Sequence, residues 1–222
     1  SGHGALFWQY ALLVHALKDQ WGIDNLSCDL SIISDLQKTL RKGEWKVTVA
    51  LHKGNHDARH RILDIWPGFH EGGLYGLAID LGSTTIAAHL CDLRDGSVLA
   101  SSGVMNPQIR FGEDLMSRVS YAMMNPGGDA EMTTAVRTAL NGLIQSISTE
   151  AKIDPKSIYE LVFVCNPVMH HLLLGIDPVE LGQAPFALAT SGALSLDARD
   201  LDLTHVNRAA RVYILPCIAG HV

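Results

Sequence analysis

The chain has 222 residues, 47% hydrophobic and 18% charged, with a formal charge of −6 and a pI near 6.0. This composition reads as globular, argues against disorder and supplies ample apolar material for one large core or two small ones. Its acidic balance gives no footing for nucleic acid or an anionic membrane surface as partner.

The first element is a helix over about residues 5–20, with Leu6, Tyr10, Leu13, Val14 and Leu17 at helical spacing and Gly22 closing it. A second helix over about 31–42 carries Ile32, Ile33, Leu36 and Leu40 and stops at Gly43. The alternating, β-branched run 45–51 reads as a strand, and 61–66 as its partner across the polar loop 53–60. Pro67-Gly68 and Gly72-Gly73 then punctuate the chain, so residues 1–73 form a small α+β domain.

From Leu74 the pattern changes. Strands are expected at about 75–80, 85–92 and 97–105, with Asp95-Gly96 as the turn between the last two. Helices follow at about 112–124 and 129–150, the second capped by Asp129 and striped by Met132, Val136, Leu140, Leu143, Ile144 and Ile147. The continuous apolar run 161–165 predicts a strand buried on both faces. Asn166-Pro167 opens a helix to Leu174, with Asn as cap and Pro in the first turn, and 211–215 is a last strand. The fold class is α/β (α+β). Three antiparallel strands followed by helix, strand, helix and strand resembles a ribonuclease H-like half, the subdomain that actin-like ATPases use twice. Residues 74–222 hold one copy, and the chain is expected to be part of a longer protein.

The chemistry concentrates between the first two strands of that half, in Asp80-Leu-Gly-Ser-Thr-Thr85. Gly82 lets backbone approach phosphate oxygens, and successive turn N–H groups make an anion-binding concavity. Ser83, Thr84 and Thr85 add hydroxyl donors, and Asp80 can hold a hydrated Mg²⁺ against the phosphates. The segment is not a Walker A loop, because it has no Gly-Lys-Ser/Thr and no helix follows at once. Asn106 and Gln108 end the third strand at the same sheet end and are candidates to line the site. Asp114 and Arg118 are one helical turn apart, so an ion pair is the simplest expectation for them. Asn166 and His170 follow the buried strand, where open sheets place ligands, although His170 and His171 point about 100° apart and cannot share a face. Met116, Met123 and Met124 read as core filling.

The four cysteines, Cys28, Cys91, Cys165 and Cys217, are scattered and include no Cys-x-x-Cys, which gives no iron–sulfur or structural zinc ligand spacing. They fit a reducing compartment, and the cytoplasm is expected. The apolar run Ala5–Leu17 is broken by Gln9 and His15 and is too short to span a bilayer. His52, His56, His60 and His70 lie in a polar stretch without metal-ligand spacing.

Four segments together are more specific than a generic actin-like pattern. They are Tyr75–Thr85, Asn106–Asp114 with Ser117-Arg118, Asn166–Gly175, and Ile214–Gly220. They resemble the ATP-dependent reductive activators of corrinoid proteins, from about Leu26 to the chain's end. Such activators look like a [2Fe–2S] ferredoxin domain, a linker, a small middle domain and an actin-like ATPase domain. By that resemblance residues 1–73 are the small middle domain and 74–222 the first half of the ATPase domain. The family returns Co(II) corrinoid proteins to Co(I) for corrinoid-dependent methyltransferases, with ATP assisting the uphill electron transfer. The resemblance implies ATP and Mg²⁺ as ligands, a [2Fe–2S] cluster in a domain this chain does not contain, a corrinoid protein as partner, and a homodimer. Asp80, Gly82, Ser83, Thr84 and Thr85 match the first phosphate motif. Asn106 and Gln108 match the strand-end segment, and Asn166, Met169 and His170 the strand-to-helix segment. Pro167 departs from the family, which carries a hydroxyl residue there. The competing readings are an actin-like small-molecule kinase and a non-catalytic docking or dimerisation module.

Overall fold

A computed structural model gives the architecture and describes residues 9–54 and 59–217. The expected start of the first helix before Gln9, His56 of the polar loop, and the end of the fourth matching segment after Cys217 lie outside these residues. The chain divides into two compact units, Ser1–Gly72 and Gly73–Val222.

In the first unit, helices α1 (Gln9–Trp21) and α2 (Leu30–Lys42) accompany a sheet of β1 (Leu26–Cys28), β2 (Val47–Lys53) and β3 (His60–Pro67), in the order β1-β3-β2. β2 and β3 pair antiparallel as expected, and β1 adds a parallel edge. Three residues are too few to show an alternation, so β1 leaves no trace in the hydropathy pattern. Leu13, Leu17, Ile32, Leu36, Leu40 and Ile62 fill the core. The strand expected from residue 45 begins at Val47, because Glu44 and Trp45 take positive φ angles of 49° and 66° in a left-handed turn.

The second unit carries β4 (Tyr75–Leu81), β5 (Thr85–Asp92) and β6 (Val98–Met105), a 3₁₀ turn (Pro107–Phe111), then α3 (Leu115–Met124) and α4 (Gly128–Ala151). It continues with β7 (Ile158–Cys165), α5 (Pro167–Leu174), β8 (Leu194–Asp197) and β9 (Arg211–Ile214). The sheet order is β6-β5-β4-β7-β9-β8. β5 pairs antiparallel with both β4 and β6, and β4, β7 and β9 run parallel. This is the ribonuclease H-like order expected from the sequence, with β8 as an unforeseen antiparallel edge. Leu77, Ile79 and Leu81 on β4, Ile86, Ala88 and Leu90 on β5, and Leu161 and Phe163 on β7 share the buried face with the α4 stripe.

Three expectations need correction. The sheet is covered on one face only among the described residues, and Val164 of β7 is 47% exposed on the other. Asp129 is not the cap of α4. Gly127, at φ 84°, takes that position, and Gly128 packs so closely on Tyr121 that a Cβ would lie 2.8 Å from its ring. Asp129 instead sits in the first turn, where its charge favours the helix N-terminus. Met116, Met123 and Met124 are exposed rather than core, because α3 turns Arg118 and Val119 inward.

Candidate functional site

Register gathers the candidate residues at one end of the second sheet. Leu81 pairs with Cys165 across β4 and β7, so Asn166 follows alongside Gly82. Thr85 pairs with Met105 across β5 and β6, so Asn106 follows alongside Thr84. Asp80, two residues before Gly82, is exposed on the open face of the sheet. Ser83 is half-buried, and Thr84 and Thr85 are exposed.

The turn itself is narrow. The Gly82 N–H donates to Thr85 O at 3.0 Å, and a Cβ on Gly82 would lie 2.7 Å from that same carbonyl oxygen. Glycine is therefore required by the turn's own backbone, whatever binds above it.

Beneath the turn lies a polar cluster that is fully buried. The Asn106 side-chain amide donates to Gly82 O at 2.9 Å, and the Asn106 backbone N–H donates to Thr84 O at 2.8 Å. Between them, Arg118 Nη2 donates to Ser83 O at 2.5 Å. Arg118 Nε donates to Gly112 O at 2.9 Å, and its Nη1 faces Gln108 Oε1 at 3.4 Å and Met169 Sδ at 3.3 Å. Gln108 donates through Nε2 to Met132 O, and its backbone N–H donates to Asn106 Oδ1, each at 2.9 Å. Asn106, Gln108 and Arg118 are all 0% exposed. The apolar run of β4 and β5 thus ends on a bed of side-chain donors.

That bed fixes which way the turn's peptides face. In a planar trans peptide the C=O of one residue and the N–H of the next point in opposite directions. The carbonyls of Gly82 and Ser83 are drawn inward by the Asn106 and Arg118 side chains, so the N–H groups of Ser83 and Thr84 turn outward, while Thr84 O takes the Asn106 N–H at the end of the β5–β6 ladder. The Ser83, Thr84 and Thr85 hydroxyls have no hydrogen-bond partner among the described residues, nor do the Ser83 and Thr84 N–H groups. Consecutive outward N–H groups form an anion-binding nest.

The structure places the other candidates as follows. Asn106 and Gln108 lie under the turn and act on its backbone and on α4, not on its open side. Asn166 caps α5, accepting the Met169 N–H at 2.9 Å, with Pro167 at the first helical position. His170 is fully buried with both ring nitrogens unpartnered among the described residues. His171 is a satisfied core residue: Nδ1 donates to Pro167 O at 2.8 Å, and Nε2 accepts the Ala189 N–H at 3.0 Å. Burial holds both imidazoles below their ordinary pKa. Burial, then Cys217 and Asp80, push the Cys165 thiol up to about 12, so it is no nucleophile at neutral pH.

The expected Asp114–Arg118 ion pair does not form. Asp114 is the N-cap of α3, accepting the Ser117 N–H at 2.6 Å, and Arg118 turns away into the interior. The i,i+4 spacing was a legitimate signal, but a capping residue faces the helix end and not the following turn. Met169 was matched only by resemblance, and its sulfur joins Asn106 and Arg118.

The outward N–H nest and free hydroxyls fit a phosphate chain. The lone exposed carboxylate of Asp80 suits a hydrated cation that is held mainly by phosphate oxygens. No group of three or more His, Cys, Asp or Glu is gathered for a metal ion among the described residues. No helix among the described residues is long and apolar enough to cross a membrane.

Known proteins supply the remaining frame. The chain is 35% identical over 164 residues to the corrinoid activation enzyme RamQ of Eubacterium limosum, covering 73% of this chain and 28% of RamQ. It superposes on a solved reductive activator for a corrinoid, iron–sulfur protein with a TM-score of 0.86 and 31% identity, covering 96% of this chain and 33% of that one. The chain therefore spans about a third or less of the length of these relatives. Residues 10–72 match the RACo linker region and residues 75–222 the RACo middle region, so the description "middle" falls on the unit that bears the turn. With its whole second unit matched and that close a structural relative, the chain belongs to the RACo family of corrinoid reductive activators.

Proposed function

We propose that this chain is the part of an ATP-dependent reductive activator that holds the nucleotide's phosphates. The whole protein returns a Co(II) corrinoid protein to Co(I) for corrinoid-dependent methyl transfer. One electron passes to cobalt from a reduced [2Fe–2S] cluster carried by another domain, and ATP bound at the actin-like site assists that uphill step. The observation that carries the nucleotide reading is the pair of inward-held carbonyls at Gly82 and Ser83, which leaves the Ser83 and Thr84 N–H groups for an anion. Ser83, Thr84 and Thr85 would add hydroxyl donors to phosphate oxygens. Asp80 would orient a Mg²⁺ through water. The corrinoid partner and the activator chemistry come from the family, and a homodimer belongs to the same proposal.

The test is corrinoid reduction by the whole activator, followed through the absorbance of the cobalt centre together with ATP turnover. Asp80→Ala is expected to abolish ATP-stimulated Co(I) formation and to leave the iron–sulfur spectrum unchanged. Wild-type ATP affinity and activation in that variant would make the turn structural and remove the nucleotide reading.

A further inference from the structure

Arg118 is the strongest buried group that this reading has not used. Its guanidinium is 0% exposed, yet it makes no close ion pair among the described residues, and burial outweighs the Coulomb attraction it receives from Asp114. Its acceptors are neutral: Ser83 O, Gly112 O, Gln108 Oε1 and Met169 Sδ. The nearest acid in sequence, Asp114, is committed to capping α3. A buried charge is normally paired, because its desolvation is otherwise uncompensated. An anion on the far side of the peptide that Arg118 grips would add to the weak compensation that Asp114 provides.

We propose that Arg118 is the positioning residue of the phosphate turn, a resident cation that orients the Ser83–Thr84 peptide and makes the turn a receptor for a phosphate chain. The inference rests on the phosphate reading above and extends it to a residue that never touches the ligand. Two effects act together. Gripping Ser83 O keeps the Thr84 N–H pointing outward, and donating a charged hydrogen bond to that carbonyl polarises the peptide and strengthens its N–H as a donor. The incompletely balanced positive charge then lies one peptide plane below the anion, in a dry interior where Coulomb attraction is weakly screened. Arginine suits this task because its fork holds Ser83 O and Gly112 O at once, which a lysine ammonium cannot do in one geometry.

The test titrates magnesium pyrophosphate into the ¹⁵N-labelled chain and follows the amide resonances of Ser83, Thr84 and Thr85. Gly96, in the remote turn between β5 and β6, serves as the internal control for folding. In the wild type the three turn amides are expected to move and Gly96 to stay still. Arg118→Met, which replaces the cation with a flexible apolar chain, should weaken pyrophosphate binding by about tenfold or more while Gly96 keeps its position. Arg118→Lys should fall between the two, because it keeps the charge and loses the fork. Wild-type affinity in both variants would overturn the proposal and leave the phosphate reading standing. If Arg118→Met does not fold, the Lys variant decides alone, and unchanged affinity there overturns it. Turn amides that ignore pyrophosphate in the wild type would bring down the phosphate reading, and this inference with it.

Discussion

Asn106→Ala is the perturbation that most directly tests the bed beneath the turn. The side chain is fully buried and makes two backbone contacts, donating to Gly82 O at 2.9 Å and accepting the Gln108 N–H at 2.9 Å. Removing it strands one buried carbonyl and one buried N–H, each of which costs about 1–3 kcal/mol, so a loss of about 2–6 kcal/mol is expected. For a unit of this size, at about 2–4 °C per kcal/mol, that corresponds to a fall in Tm of about 4–24 °C. The assay is thermal unfolding followed by far-UV circular dichroism. Tryptophan fluorescence is the wrong probe, because Trp8, Trp21, Trp45 and Trp66 all belong to the first unit. The same variant frees the Gly82–Ser83 peptide to rotate, so pyrophosphate binding at the turn should weaken together with stability. A Tm within about 2 °C of wild type would refute the reasoning, since water would then be replacing the amide at no cost in a site that is closed to it.

Asp80→Ala should lose about 10²–10³ in ATP-stimulated corrinoid reduction, the usual size of one lost electrostatic contact, and an exposed residue should move Tm little; a Tm loss as large as that of Asn106→Ala would mark Asp80 as structural. Gly82→Ala should destabilise the second unit even without ligand, because its Cβ meets Thr85 O at 2.7 Å, and unchanged unfolding by circular dichroism would show that the turn can relax. Burial lowers the His170 pKa, so the unfolded state binds more protons as pH falls, and stability present above pH ~6.5 is lost below it. His170→Leu should remove up to one proton from that pH dependence below pH ~6.5, and an unaltered slope in urea unfolding would exclude the buried imidazole as its source.

Periodicity carried most of the fold. The α4 stripe, the three leading strands, β7 and the Asn-Pro start of α5 all follow from spacing and cap chemistry, and the structure has them where the sequence puts them. What escaped is short or depends on a neighbour. β1 and β8 have three and four residues, too few to display a period. The α4 start was misplaced because Gly127-Gly128 answers to the Tyr121 ring, a contact invisible in the local sequence. The exposure of Met116, Met123 and Met124 follows from Arg118 and Val119 occupying the inner face of α3. Arg118 reads as a surface cation in any local window, and only the fold brings it under a turn that lies 35 residues earlier.

The turn illustrates why residues that point at a ligand are an incomplete account of its site. Ser83 and Thr84 could present their N–H groups in either direction if their peptides were free, since a short exposed turn has few contacts of its own. The choice is made from behind, by the Asn106 and Arg118 side chains, each acting on a carbonyl and not on a ligand. Rotating any one of those peptides would bury an N–H against a donor and expose a carbonyl to the anion, so each held carbonyl both orients one N–H and forbids the repulsive alternative. The Asn-Pro-Gln segment earns its place in this role: Pro107 opens the 3₁₀ turn, which brings the Gln108 N–H onto Asn106 Oδ1 and leaves the Asn106 amide free to donate to Gly82 O. An aspartate at 106 would keep the contact to the Gln108 N–H and put a negative oxygen against Gly82 O. Asn106→Asp is therefore expected to disturb the turn at neutral pH at least as much as alanine does, and equal stability of the two carboxamide and carboxylate forms would show that Gly82 O is not held by the amide at all.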